Sequence, residues 1–122
     1  MNEKRVLLVD DDSICLSFMK ELLADKHILK LAHSGEEALD LAQEFCPDLV
    51  VLDVMLPGLD GFEVSQSLRK IDPSGKTKII FVSAKTPEIE NRIDIDTHGY
   101  GFLLKPFGPD DFDNRVKEML EA

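Results

Sequence analysis

Five short runs of β-branched and aliphatic residues, RVLLV at 5–9, ILKLA at 28–32, LVVL at 49–52, KIIFV at 78–82 and GFLL at 101–104, alternate with longer stretches of helical period. An unbroken apolar run suits a strand buried on both faces, and a helix between successive strands makes the crossovers parallel. The pattern predicts an α/β fold, a doubly wound five-stranded parallel sheet with five flanking helices. In such a sheet, ligands bind in the crevice at the carboxyl ends of the strands.

The helical stretches carry their own signals. Ile14, Phe18 and Leu22, with Cys15, Met19 and Leu23 beside them, form one apolar stripe in the first. The second opens on Ser34-Gly35-Glu36-Glu37, a capping-box spacing, ahead of Ala38, Leu39, Ala42 and Phe45. Val64, Leu68 and Ile71 mark the third, which ends at Asp72-Pro73-Ser74-Gly75. A fourth is expected from Thr86 and Pro87 with Ile89 and Ile93, and the last begins near Gly108-Pro109 and carries Phe112, Val116, Met119 and Leu120.

At the strand ends stand Asp10, Asp11 and Asp12 after the first, Asp53 after the third, Ser83 after the fourth and Lys105 after the fifth. Carboxylates gathered there would repel by roughly 4 kcal/mol per pair at about 4 Å and an effective dielectric near 20. An all-oxygen acidic cluster with no His or Cys in its pattern selects a hard cation, and Mg²⁺ suits a few carboxylates plus a phosphate oxygen. With the ammonium of Lys105 and the hydroxyl of Ser83, the set forms a cradle for a phosphoryl group in transfer.

LLVDDD at 7–12, PDLVVLDVMLPGLDGFE at 47–63, IIFVSAK at 79–85 and FLLKPF at 102–107 together resemble the receiver domain of two-component response regulators, in order and across the whole chain. The resemblance implies a flavodoxin-like fold and a phosphoacceptor role in a two-component or phosphorelay system. It makes Asp53 the phosphoacceptor, with Asp10, Asp11, Asp53 and the backbone carbonyl of Met55 holding Mg²⁺. Ser83 follows the phosphoryl group, Lys105 binds it, Phe102 holds the aromatic switch position, and Lys105-Pro106 is the family's cis peptide. The implied partners are a sensor histidine kinase or phosphotransfer protein, and a second copy of the chain through the fourth helix, fifth strand and last helix. Such a protein catalyses only its own phosphorylation and dephosphorylation. Three features depart from the family pattern: Gly99 lies one residue closer to Phe102 than usual, Phe102 lacks a tyrosine hydroxyl, and Gly108 replaces the usual cap before Pro109.

Two other readings compete. Asp10-Asp11-Asp12-Ser13 also resembles the Asp-x-Asp motif of haloacid-dehalogenase-type phosphatases, with Asp10 as nucleophile and Asp12 as acid, but Asp53 and its LPGLDG loop are then unexplained. Asp12 is also well placed as a helix cap. A docking-only receiver module is the third, and the full set Asp10, Asp11, Asp53, Ser83 and Lys105 argues against it.

Composition narrows the partners. The 122 residues suit a single domain over 1–122, stand-alone or excised from a longer regulator, and the formal charge of −10 disfavours nucleic acid and acidic lipid as direct partners. No apolar run spans a membrane and residues 1–12 have no signal-peptide core, so a cytoplasmic setting is expected. Cys15 and Cys46 are expected to be reduced, partly buried thiols. His27, His33 and His98 have no metal-ligand spacing, and surface or strand-end roles are expected of them.

Overall fold

The computed structural model describes residues 3–84 and 100–121. In chain order the elements are β1 (Arg5–Val9), α1 (Ser13–Leu23), β2 (Ile28–Ala32), α2 (Gly35–Phe45), β3 (Leu49–Asp53), α3 (Gly61–Ile71), β4 (Lys78–Ala84), β5 (Tyr100–Lys105) and α4 (Pro109–Glu121). The helix expected from Thr86 lies outside the described residues, as do Lys85, His98 and Gly99. All pairings are parallel and the strand order is β2-β1-β3-β4-β5. This is the doubly wound flavodoxin-like order, with its switch point between β1 and β3.

Strand periodicity divides the core in two. Leu7, Val9, Val50, Leu52, Ile79 and Phe81 face α2 and α3, while Val6, Leu8, Leu49, Val51, Ile80, Val82 and Leu103 face α1 and α4. Extending the second set past Leu8, Val51 and Leu103 by two residues reaches Asp10, Asp53 and Lys105. The alternation that buries the strands therefore sends these three side chains to one face of the crevice.

β3, β4 and β5 run one or two residues beyond their expected ends, so Asp53, Ser83 and Lys105 are the last or nearly last residues of hydrogen-bonded strands rather than loop residues. α1 is capped by Asp12, whose carboxylate accepts from Ile14 N at 2.9 Å. Its buried side is Leu16, Met19 and Leu23, whereas Ile14 is 81% exposed and Phe18 is exposed too. The expected stripe was out of phase, because apolar residues circle most of this helix and Ile14 and Leu16 point about 200° apart. Ile71 at the end of α3 is likewise exposed.

Ser34 caps α2 by accepting from Glu37 N at 3.1 Å, but the Glu37 carboxylate reaches past the cap to His33 N at 2.6 Å, so the expected box is only half formed. The complete capping box is Asp60 with Glu63, where the LPGLDG loop runs into α3. At α4 the cap position Gly108 has no side chain, and Asp111 Oδ2 accepts from Gly108 N at 3.4 Å instead. Both thiols are free; Cys15 is half-buried, but Cys46 is exposed, contrary to expectation. Cys46 turns the chain from α2 into Pro47 at a left-handed φ of 51°, which carries its thiol outward.

Candidate functional site

The site lies where β1, β3, β4 and β5 end. Asp10 is fully buried; its Oδ1 accepts from Asp12 N at 2.9 Å and its Oδ2 from Lys105 Nζ at 3.0 Å. Asp53 is 4% exposed, with Oδ1 accepting from Met55 N at 3.0 Å and Oδ2 from the same Lys105 Nζ at 3.2 Å. One ammonium thus bridges two carboxylates that come from strands 1 and 3. Lys105 precedes a cis peptide to Pro106, as the family resemblance implied.

Asp11 is exposed at the rim, and one carboxylate oxygen from each of Asp10, Asp11 and Asp53 lies within 4.8 Å of the others. Three hard oxygen donors at this spacing, two of them anchored by backbone N–H groups, fit a divalent cation such as Mg²⁺. Ser83 is fully buried, and its Oγ has no hydrogen-bond partner among the described residues. A buried hydroxyl is rarely left unsatisfied, so this one points to a group that the crevice receives. The side chain of Met55 turns outward, 61% exposed.

The charges are not symmetric. Burial opposes ionisation of Asp10, yet the Asp12 N–H, Cys15 and Lys105 together hold its carboxyl below the usual carboxylate range. Burial raises Asp53, and the charge of Asp10 adds to it, more than the Met55 N–H and Lys105 lower it, so its carboxyl titrates above the ordinary value. Burial works against the Lys105 ammonium, but Asp10 and Asp53 outweigh it and raise its pKa. Lys105 is therefore a fixed positive charge, and Asp53 is the carboxylate whose ionisation is least compensated.

The structure brings Asp10, Asp11, Asp53, Lys105 and the Met55 N–H together, and Ser83 lies near the end of β4 at the same sheet edge. Phe102 lies on the other face of β5, half-buried, its ring 6.4 Å from that of Phe81, and the strand alternation puts Ser83 on the face of Phe81. Asp12, the acid that the phosphatase reading needs, is exposed and engaged as the cap of α1. His27 and His33 flank β2, and His27 Nδ1 accepts from Lys4 N at 3.2 Å. Sequence reasoning missed Cys15, whose thiol feels Asp10; burial, then Asp10, push it from 9.0 up to about 12. Its signal was the spacing from Asp12, which puts it one turn into α1, facing back toward the strand end.

A parallel sheet in this order with two acidic strand ends bridged by one lysine defines a flavodoxin-like domain with a charged crevice at its carboxyl edge. The chain belongs to the response regulator receiver domain family, which matches residues 6–117. It is a receiver domain of the two-component type. Among curated relatives it is 36% identical over 115 residues to the transcriptional regulatory protein AfsQ1 of Streptomyces coelicolor, and 36% identical over 120 residues to the alkaline phosphatase synthesis transcriptional regulatory protein PhoP of Bacillus subtilis. Those alignments cover 94% and 98% of this chain but 50% and 49% of the relatives, so the chain spans about half their length. Among solved structures, the CheY-like receiver domain protein of Methanospirillum hungatei superposes with a TM-score of 0.86 at 29% identity, covering 98% of this chain and 95% of that one. Chemotaxis protein CheY4 of Vibrio cholerae gives 0.87 at 27% identity, with coverage of 98% and 100%. Response regulators act with histidine kinases and output domains, and their receiver domains are signalling domains, generally not catalytic enzymes. Among the described residues no helix is long and apolar enough to cross a membrane.

Proposed function

We propose that Asp53 is the phosphoacceptor of this domain, that Asp10, Asp11, Asp53 and the Met55 carbonyl hold Mg²⁺, and that Ser83 and Lys105 receive the phosphoryl group. The observation that carries this reading is the single Lys105 ammonium between Asp10 and Asp53, and the buried, unpartnered hydroxyl of Ser83 at the end of β4 supports it. One Asp53 oxygen forms the new bond to phosphorus as the bond from phosphorus to the donor breaks. The donor's imidazole nitrogen, or the acetate oxygen of acetyl phosphate, leaves with the bonding pair.

Mg²⁺, when bound, neutralises the clustered carboxylates and the charge on the phosphoryl oxygens. Lys105 supplies a second positive charge that needs no reorganisation during transfer. Met55 N, donating to Asp53, holds the carboxylate's orientation. The Ser83 hydroxyl then gains an acceptor, and Phe102, packed against Phe81, is placed to move with β4 and β5. A phosphoryl group adds about two negative charges, enough to bias such a rearrangement. The partner is a histidine kinase or phosphotransfer protein in the cytoplasm, a setting in keeping with two free thiols. A second copy of the chain is the candidate partner of the phosphorylated form, through β5, α4 and the segment between β4 and β5.

Intact-mass spectrometry after incubation with acetyl phosphate tests the reading. The expected result is one labile phosphoryl group per chain with Mg²⁺ and none with EDTA. Equal yields in the two conditions would remove the cation from the account.

A further inference from the structure

Gly61 opens α3 directly behind the acidic site. Its N–H donates to Val54 O at 2.9 Å, while Val54 N donates to Val82 O at 3.0 Å, so the peptide after Asp53 is tied to β4 on one side and to α3 on the other. A Cβ on Gly61 would lie 2.5 Å from Asp53 O, 2.7 Å from Val54 Cα and 3.1 Å from Asp53 C. All three are backbone atoms, which cannot swing aside as a side chain can. The helix start cannot roll away cheaply either, because the Asp60 and Glu63 capping bonds of 2.9 and 3.2 Å hold it.

We propose that Gly61 is a positioning residue for the acidic site: its missing side chain lets α3 press on the peptide that follows Asp53, fixing the Asp53 carboxylate and the Met55 N–H against Asp10 and Lys105 in the geometry a divalent cation requires. The proposal rests on the reading of Asp10, Asp11 and Asp53 as a cation site. Its leverage is short, since Asp53 Oδ1 is held by Met55 N and its Oδ2 by Lys105 Nζ, both within two residues or one contact of the crowded peptide. Small backbone shifts matter because Mg²⁺-type sites demand near-ideal octahedral geometry, and partners behind the ligands commonly change affinity by tenfold or more.

Gly35 supplies the matched control. A Cβ there would meet the buried Val64 Cγ2 of α3 at 2.6 Å, with Leu59 Cβ and O at 3.1 and 3.2 Å. Its nearest clash is with a side chain, and none of its contacts is with Asp53 or Val54. Gly35→Ala should therefore lower stability without disturbing the acidic site.

Binding of Mn²⁺, followed by the electron paramagnetic resonance of the free ion, and the melting temperature are to be measured for the parent, Gly61→Ala and Gly35→Ala. We expect about tenfold weaker Mn²⁺ binding in Gly61→Ala, unchanged binding in Gly35→Ala, and lower melting temperatures in both. Parent-like binding by Gly61→Ala, or an equal loss in Gly35→Ala, overturns the positioning role while leaving the cation site standing. A parent that binds no Mn²⁺ overturns the site and the proposal together. Should Gly61→Ala not fold, a Mg²⁺ titration of the parent decides: the Gly61 amide resonance should move with the same midpoint as that of Met55, and a Gly61 signal that stays still while Met55 moves overturns the proposal.

Discussion

Lys105 Nζ lies 3.2 Å from Asp53 Oδ2, an ion pair that joins the ends of two strands not adjacent in the sheet, across a separation of 52 residues. The same ammonium is 3.0 Å from Asp10. Substituting Lys105 by Met would leave two buried carboxylates facing one another and, on the proposed function, would also remove the fixed charge that meets the phosphoryl oxygens. The rate of phosphorylation from acetyl phosphate at saturating Mg²⁺ should fall by about a hundredfold. A rate within twofold of the parent in single-turnover measurements would show that Lys105 is only a structural tie.

His27 makes folding stability depend on pH. Burial first, then the charges of Lys26 and Lys4, lower its pKa below 6.5, and its Nδ1 must stay unprotonated to accept from Lys4 N. The unfolded chain therefore binds the proton more tightly. The stabilisation is fully present above about pH 6.5 and is lost as pH falls through the lower folded value. Urea unfolding on either side of this window should show a fall in stability for the parent and a smaller fall for His27→Gln. Equal falls would assign the effect to other groups.

The two thiols should react very differently. Cys46 is exposed, whereas Cys15 is half-buried against Asp10 and its thiol is pushed up to about 12. The thiolate is the nucleophile, so iodoacetamide at neutral pH should label Cys46 first and leave Cys15 largely unmodified in the folded protein. Peptide mapping that finds Cys15 labelled as fast as Cys46 would contradict the contact with Asp10.

The sheet was legible because its strands are buried on both faces, which leaves continuous apolar runs that few other elements produce. The site was legible because strand ends, not loops, carry Asp53, Ser83 and Lys105, so the residue after each run was the residue to examine. The phase of α1 was not legible, since Ile14 and Phe18 are as apolar as Leu16 and Met19 and only packing against α4 and the sheet chooses between them. Nor was the importance of Gly61: LPGLDG reads as a turn, and nothing local says that its last residue touches the backbone of Asp53. The outward thiol of Cys46 was hidden for a similar reason, because a left-handed residue before proline is a property of the chain reversal and not of the residue type.

Phosphorylation of Asp53 is the central claim, and mass spectrometry of the parent, Asp53→Asn and Asp10→Asn after incubation with acetyl phosphate and Mg²⁺ tests it most directly. The account predicts one acid-stable, base-labile phosphoryl group on the parent, none on Asp53→Asn, and a slower gain on Asp10→Asn, which keeps the acceptor but loses a cation ligand. A phosphoryl group gained by Asp53→Asn in the same yield as the parent would contradict it. So would a parent that gains none, the behaviour of a docking-only module, or one whose group is lost on Asp10→Asn but kept on Asp53→Asn, the pattern of a phosphatase-type nucleophile.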